Sequence, residues 1–535
     1  MKLFALVLAL TAFAAAAEDA PSLPNTNSHF TMPVAATRAE WEKRAAELRK
    51  QILFAAGLYP MPEKPPLNPQ LFGKLERQGY TIEKVLIQSL NGYFLGGNLY
   101  RPAGKPGKFP AIVSPHGHWT YGRLEHQPLA SVPARAINLA RQGHVVFTYD
   151  MVGYNDTIQT PHDFGSPKEQ LWGWGPLGLQ LWNSIRAVDF VASLPDVDAD
   201  RIGATGASGG GTQTFLLAAI DPRVKFAAPV NMISAIMQGG SPCENAPGLR
   251  VDTFNVELAA LIAPRPLLMV SATGDWTKNT MQEEYPAIKS IYRLYDRDPY
   301  LEAVQIDAPH NYNKDSREAV YRFFGKHMLR TSDFESLKEK PFNVEKLNDM
   351  LALHNRQLSG GALSYDHLVE QWMNAARRQR EAPVDAIRER LLLALKVTYQ
   401  KSGVSMGDFP GIGVSLAGNE VRVTDSTDTG LTSLPKDSRF YSTFNRLEGS
   451  NRVQLILHAI SYLSERNPNP VSLDCEGKAA VWCTFAAAVA PVKTTMTRSA
   501  PNFAGSDDDF LRNFFIPGIQ RAGGWPAAVR LATGR

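Results

Sequence analysis

Residues 201–220 read RIGATGASGGGTQTFLLAAI, a short apolar segment, a cluster of glycines around Ser208, and a second apolar segment. The pattern predicts a β-strand over 201–205, a tight turn at the serine and a helix over 210–220. Such a turn needs glycines because its backbone is strained and neighbouring segments approach it closely. A serine on a strand-to-helix turn, backed by the positive end of the helix, has the setting of a hydrolase nucleophile.

Strand and helix patterns alternate on both sides of this turn. An antiparallel pair is expected over 80–100, followed by strands at 109–114, 144–150, 226–233, 266–272 and 303–307. Antiparallel entry followed by β-α alternation predicts a mostly parallel sheet covered by helices on both faces. The fold class expected is therefore α/β, of the α/β-hydrolase type.

A serine nucleophile needs a base and an acid that orients the base, and in this fold the chain order is serine, acid, histidine. His310 follows the strand that ends at 307, so it is the expected base. Asp275 follows the strand at 267–272 and is the expected acid. Glu244, in the loop after the preceding strand, is the alternative acid. If Asp275 has that role, Glu244 and Arg250 are pocket residues or a buried ion pair.

Two backbone N–H groups must stabilise the oxyanion that forms during acyl transfer. The amide of Gly209, directly after the nucleophile, is the first expected donor. The second is expected in the loop at 114–119, from His118 or, as second choice, Gly117. Trp119 and Trp276 are expected at the pocket, where aromatic faces suit sugar rings but serve equally well in core packing.

Composition limits the partners and the location. A net charge of +4 on 535 residues gives no electrostatic case for nucleic acid. Lys2, the apolar run at 3–13 and the alanines at 14–17 predict a signal peptide over residues 1–17, and hence an exported protein, periplasmic or secreted. No later stretch has 18 uninterrupted apolar residues, so no membrane anchor is expected. No zinc-type cysteine or histidine spacing is present, so neither a metal nor another cofactor is expected.

The chain is long enough for two or three domains. We expect a catalytic domain over 18–330 with a helical lead-in, a helical linker region over 331–409 and a smaller domain over 410–535. In the last, residues 470–488 parallel 201–219, with Gly477 in the place of Ser208. We interpret it as a degenerate, non-catalytic hydrolase-like domain that packs on the active-site side.

Cys475 is expected at the end of a strand, and Cys483 two turns into the next helix. The two residues should lie about 10 Å apart, which is too far for a disulfide bond.

Residues 36–330 resemble the bacterial acetyl-xylan-esterase-like members of the α/β-hydrolase superfamily. The matching segments lie at 51–60, 97–102, 115–119, 206–214, 271–276 and 308–312. The resemblance implies the triad Ser208, Asp275 and His310, and an exported esterase that acts on ester groups of plant polysaccharides. Glucuronoyl esterases have a similar motif around the serine, but they carry Arg and Lys where this chain has Gly209 and Thr212.

Two other functions remain open from the sequence. A prolyl-oligopeptidase-type peptidase shares the catalytic domain, but about 90 residues ahead of the first parallel strand cannot build its β-propeller. A non-catalytic glycan-binding protein would fit a silent C-terminal domain but not an intact order of serine, aspartate and histidine.

Overall fold

The computed structural model describes residues 23–534 except 105, 359, 406–412, 436–438, 499 and 501. The predicted signal peptide at 1–17 lies outside the described residues. Among the described residues, no helix combines the length and the apolar character needed to cross a membrane.

Fifteen strands are present in the described part of the chain. They are β1 (Gln70–Arg77), β2 (Tyr80–Leu90), β3 (Tyr93–Pro102), β4 (Phe109–Pro115), β5 (His126–Gln127), β6 (Ala130–Ser131), β7 (Val145–Tyr149), β8 (Val197–Ala207), β9 (Val224–Val230), β10 (Leu267–Gly274), β11 (Leu301–Pro309), β12 (Val414–Ala417), β13 (Glu420–Val423), β14 (Val471–Cys475) and β15 (Thr494–Met496).

The α-helices alternate with these strands. They are α1 (Arg38–Ala55), α2 (Val132–Gln142), α3 (Pro167–Leu171), α4 (Pro176–Ser193), α5 (Gly209–Ile220), α6 (Asn255–Ala260), α7 (Glu284–Arg293), α8 (Lys314–Phe324), α9 (Leu347–Met350), α10 (Tyr365–Arg378), α11 (Val384–Leu395), α12 (Tyr441–Phe444), α13 (Glu448–Arg466), α14 (Ala479–Val489), α15 (Asp507–Asn513), α16 (Ile519–Ala522) and α17 (Gly524–Thr533).

The larger sheet has nine strands in the order β1-β2-β3-β7-β4-β8-β9-β10-β11. The first three strands and the β3–β7 pair are antiparallel, and every pairing from β7 to β11 is parallel. The expected antiparallel entry is thus present, with β1 as an additional strand at its edge. Parallel strands bring their carboxyl ends to one edge, so the loops that follow β4, β7, β8, β9, β10 and β11 meet there.

Apolar side chains cover both faces of this sheet. One core contains residues of α1, α4, α5, α6 and α7, and a second core on the other face contains residues of α2 and α8. The central strands β4 and β7 are buried along nearly their whole length because helices cover both of their faces. The predicted α/β-hydrolase fold is confirmed.

The segment after residue 330 builds most of a third apolar core. The sheet β12-β13-β14-β15 has an antiparallel first pair and two parallel pairs. Helices α10, α11, α13 and α14 contribute buried residues to the same apolar cluster. Two helices of the predicted linker region therefore pack into the C-terminal core, and the division of the chain at 330 and 409 stays a prediction.

The turn between β14 and α14 parallels the turn at Ser208. Gly477 has a backbone φ of +55°, and Ser208 has a φ of +57°. The shared strand-turn-helix order and the parallel strands on either side of β14 are consistent with a degenerate hydrolase half. That origin stays a prediction.

The expectation that Cys475 and Cys483 are too far apart is wrong. Their α-carbons lie 6.6 Å apart and the two residues form a disulfide. A separation of about 10 Å would require both residues to lie along one straight axis. Instead, the chain reverses at Gly477, and α14 runs back beside the end of β14. A Cα separation of 6.6 Å lies within the range that a disulfide spans.

Candidate active site

Ser208 occupies the turn between β8 and α5. Its backbone φ of 57° and ψ of −125° lie in a region that residues with a side chain seldom adopt. The surrounding structure holds this conformation, since the Ser208 amide donates to the carbonyl of Val230 at 3.1 Å and its carbonyl accepts from the Thr212 amide at 2.9 Å. The turn leaves the serine half-buried at the carboxyl edge of the sheet.

The loop after β4 lies directly against this turn. A methyl group added at Gly117 would lie 2.9 Å from the carbonyl oxygen of Ala207 and 3.2 Å from Cβ of Ser208. A methyl group at Gly210 would lie 2.8 Å from the carbonyl carbon of His116. The glycines thus allow two backbone segments to touch where a side chain would separate them.

The predicted oxyanion donors lie in this contact. Gly209 is the first residue of α5, so its amide is one of the N–H groups that the helix itself cannot satisfy. The imidazole of His118 covers Gly209, and a methyl group there would lie 2.7 Å from Cε1 of that ring. Gly117 and His118 therefore both lie next to the turn that carries Ser208.

His116 connects the loop after β4 to the segment after β7. Its Nδ1 lies 2.7 Å from the carbonyl oxygen of Gly117, and its Nε2 accepts a hydrogen bond from the amide of Met151 at 3.0 Å. Complete burial lowers the pKa of His116 to about 3, so the ring is neutral and can accept that bond. His116 is therefore a structural support of this loop.

Asp275 and His310 meet at the ends of two neighbouring strands. Asp275 follows β10 and His310 follows β11, and these strands pair in parallel. Nδ1 of His310 lies 2.8 Å from Oδ2 of Asp275, whose side chain is only 2% exposed. The other carboxylate oxygen of Asp275 accepts the amide of Thr277 at 2.7 Å and the hydroxyl of Thr277 at 2.5 Å. These bonds fix the carboxylate, which in turn places the imidazole proton on Nδ1.

Two indoles flank the imidazole of His310. The ring centroid of Trp276 lies 4.4 Å from that of His310, and the centroid of Trp119 lies 6.3 Å away at an interplanar angle of 26°. The two rings restrict rotation of the imidazole. Nε2 of His310 is buried and has no hydrogen-bond partner within the protein, so its lone pair is available for a proton.

Glu244 and Arg250 lie in the loop after β9 and bind mainly the backbone of that loop. The Glu244 carboxylate accepts the amides of Gly240 at 2.9 Å and Ser241 at 3.0 Å. Arg250 donates to the carbonyl oxygen of Glu244 at 2.9 Å. The two residues hold the loop after β9 together, while the imidazole of His310 contacts Asp275.

The aromatic residues divide between core and pocket. Trp172, Trp174 and Trp182 are each 2% exposed or less and pack in the cores. Trp119 is half-buried beside His310. A sugar ring in contact with an aromatic face would therefore meet Trp119 rather than the three buried indoles.

A cluster that sequence reasoning missed lies next to the loop after β4. Nε2 of His118 is 3.2 Å from Nε2 of His162 and 3.1 Å from Sγ of Cys243. These three residues are far apart in the chain, and their spacing matches no metal motif. The one available signal is that each follows a parallel strand of the same sheet: β4, β7 and β9 respectively.

The segments that carry His162 and Cys243 also border a cavity of about 360 Å³. Its wall includes loops of the larger sheet and segments of the C-terminal region. Among the lining residues are Phe164, Trp174, Pro242, Leu434, Tyr441 and Phe515. The C-terminal region therefore contributes to a concave surface beside these loops.

The nine-stranded sheet, the elbow at Ser208 and the loops at its carboxyl edge define an α/β-hydrolase. Residues 71–233 match the family of acetyl xylan esterases, which confirms the resemblance over that range. The matched family consists of ester hydrolases, and the chain is an enzyme that hydrolyses carboxylic esters.

The chain is also similar to two named proteins and to one solved structure. The Bacillus subtilis protein YtaP, which is named as a hydrolase, is 27% identical over 247 residues, 43% of this chain and 81% of that protein. The polyketide transferase claH of Penicillium crustosum is 30% identical over 155 residues, 29% of this chain and 45% of that protein. The solved structure of methylesterase BT1017 is 29% identical, with a TM-score of 0.55, and the match covers 65% of this chain and 78% of that chain.

The contact between the loop after β4 and the elbow gives a testable prediction. In Gly210→Ala the new methyl group would lie 2.7 Å from the carbonyl oxygen of Pro115 and 2.8 Å from the His116 carbonyl carbon. Both are backbone atoms, so the loop must move away from Ser208. We expect kcat for p-nitrophenyl acetate to fall by at least about tenfold, because an oxyanion donor is displaced.

The matched control is Gly360→Ala, where the added methyl group meets no atom within 4 Å. It should keep the wild-type kcat. Wild-type turnover by a folded Gly210→Ala enzyme would show that the close approach has no catalytic consequence.

Proposed function

We propose that this protein is an exported serine esterase that uses Ser208, His310 and Asp275 as its catalytic triad. The observation that carries the proposal is the 2.8 Å contact between Nδ1 of His310 and Oδ2 of Asp275 at the same sheet edge as the elbow. This contact favours Asp275 over Glu244 as the acid, because the Glu244 carboxylate binds backbone amides.

The proposed reaction has two half-reactions. His310 Nε2 removes the hydroxyl proton of Ser208 as the oxygen attacks the ester carbonyl. The amides of Gly209 and of His118 or Gly117 stabilise the oxyanion, and Asp275 stabilises the imidazolium. His310 returns the proton to the leaving alcohol, which leaves an acyl-enzyme. Water, deprotonated by His310, then releases the acid and restores Ser208.

We propose that the ester is attached to a plant polysaccharide. The matched family is named for an ester of xylan, and one relative is a methylesterase. The half-buried indole of Trp119 beside His310 offers a flat apolar face of the kind that sugar rings bind. Release of acetate from acetylated xylan, or of methanol from methyl-esterified pectin, would establish the ester class, and inactivity on every glycan ester would contradict this assignment.

Replacement of the nucleophile tests the triad directly. Ser208→Ala should abolish hydrolysis of p-nitrophenyl acetate and labelling by a fluorophosphonate probe, because the acyl-enzyme cannot form. Far-UV circular dichroism should match wild type. The control Ser290→Ala removes an exposed hydroxyl and should leave both signals unchanged. Turnover retained by Ser208→Ala would exclude Ser208 as the nucleophile.

The identity of the acid is tested by a pair of amide substitutions. Asp275→Asn should lower kcat by about 10⁴, because the amide no longer holds the imidazole in the required tautomer. Glu244→Gln keeps one oxygen for the neighbouring amides, so its kcat should stay within about tenfold of wild type. A small loss for Asp275→Asn together with a large loss for Glu244→Gln would transfer the role to Glu244.

Export is supported by the disulfide between Cys475 and Cys483, because such bonds persist in oxidising compartments. We expect protein recovered from the periplasm or the medium to begin at Glu18, as N-terminal sequencing would show. Recovery of a chain that still carries residues 1–17, found only in the cytoplasm, would contradict the export proposal.

A further inference from the structure

His118, His162 and Cys243 form a compact group of metal-binding side chains outside the proposed triad. Each side chain offers one donor atom, and the three donor atoms all lie within 4.8 Å of one another. Three separate loops supply them, after β4, β7 and β9. The group is therefore a product of the fold and not of a local sequence motif.

The hydrogen bond of His162 directs a lone pair into this group. Nδ1 of His162 lies 2.8 Å from the carbonyl oxygen of Val152, which can only accept a hydrogen bond. Nδ1 therefore carries the proton, and Nε2 has a free lone pair that faces Nε2 of His118 at 3.2 Å. A backbone carbonyl that fixes the tautomer of a histidine in this way is a regular feature of metal sites.

Cys243 completes the set from the interior. The residue is 1% exposed, and its Sγ lies 3.1 Å from Nε2 of His118. The negative charge of the neighbouring Glu244 carboxylate acts on both His118 and Cys243. A buried sulfur and two imidazole nitrogens near a carboxylate provide both the donor atoms and the potential that favour a cation.

We propose that His118 Nε2, His162 Nε2 and Cys243 Sγ bind a divalent cation of the zinc type. Zinc takes histidine nitrogen at about 2.0–2.1 Å and cysteine sulfur at about 2.3 Å, so tetrahedral donors lie roughly 3.4–3.6 Å apart. The two separations from His118 Nε2, of 3.2 Å and 3.1 Å, need only a slight opening, and the third separation, between His162 and Cys243, is at most 4.8 Å. The thiol binds as a thiolate and loses its proton to solvent, and a fourth position remains for water or another ligand.

Hydrogen bonding alone accounts for the cluster less well. In the absence of a cation, a proton on His118 Nε2 can be donated to His162 Nε2, whereas the Cys243 thiol can donate to His118 Nε2 only when that nitrogen carries no proton, so neither tautomer of His118 gives both contacts a hydrogen bond of their own. A cation at the centre would accept all three lone pairs at once. It would also join three loops, because each ligand comes from a different loop. One of them is the loop of Gly117 and His118, and the His118 ring lies over Gly209. The site would thus position the oxyanion loop without contact with the ester.

Direct binding of Zn²⁺ tests the proposal. The full-length protein, first treated with a chelator, is titrated with Zn²⁺ against a chromophoric competitor. We expect one equivalent to bind. His162→Gln and Cys243→Ser should each weaken binding at least about 100-fold, because each removes one of three protein ligands.

Two control variants distinguish Zn²⁺ binding at this site from Zn²⁺ binding at other histidines and from the proposed esterase activity. His367→Gln removes an exposed histidine outside the cluster and should leave Zn²⁺ affinity unchanged. Ser208→Ala should also bind one equivalent, so failure of the esterase proposal would leave this result intact. If the wild type does not bind Zn²⁺, or if both cluster variants still bind it with wild-type affinity, the three side chains form a hydrogen-bonded cluster and not a metal site.

Cobalt provides a measurement that does not depend on the folding of the variants. Co²⁺ added to the wild-type protein should give the near-ultraviolet absorption of thiolate-to-cobalt charge transfer, since Cys243 supplies the sulfur. Cys475 and Cys483 are joined in a disulfide and cannot give this signal. Cobalt binding without the thiolate absorption would overturn the proposed ligand set.

Discussion

The backbone of Ser208 lies in a conformation that most residues avoid, and the arrangement of the site depends on it. The positive φ reverses the chain within one residue, so β8 ends and α5 begins with the serine between them. A conformation of this kind costs on the order of 1–3 kcal/mol and persists only where its surroundings impose it. Here the surroundings are the carbonyl of Val230, which binds the Ser208 amide, and the loop after β4, which presses on the turn. The same constraint requires Gly117 and Gly210 to lack side chains. The proposed nucleophile and the loop proposed to bind the oxyanion are therefore positioned by one packing arrangement.

The sequence predicted the part of the site that follows from topology. Parallel strands end at one edge of the sheet, so Asp275 after β10 and His310 after β11 had to be neighbours once the strands were recognised. Chain order favoured Asp275 as the acid but did not exclude Glu244, because both residues follow strands of the sheet. In the folded chain Asp275 contacts His310, whereas the Glu244 carboxylate binds the amides of its own loop, and this difference supports the proposed role of Asp275. Such a bond depends on a loop conformation that no periodicity encodes.

Other features could not be predicted from the sequence because they depend on the paths that the long loops take back to the sheet. His162 and Cys243 each follow a strand end by 13 residues, and nothing in those intervening residues indicates that both reach His118. The Cys475–Cys483 disulfide was missed for a related reason. Sequence spacing measures distance along an element, whereas the turn at Gly477 folds the helix back toward the strand that precedes it.

The turns at Ser208 and Gly477 can be compared to separate the backbone requirement of the elbow from the chemical requirement for a side chain. Gly477 and Ser208 share almost the same positive φ, yet only one of them has a side chain. A methyl group at Gly477 would meet no atom within 4 Å, so lack of space does not explain the glycine. The dihedral angle does, because glycine adopts a positive φ without the penalty that a side chain incurs. A turn without a nucleophile gains stability from glycine, whereas Ser208 keeps its strain because the strain presents its hydroxyl at the sheet edge. A domain that descends from a hydrolase half and no longer catalyses would be expected to relax at this position.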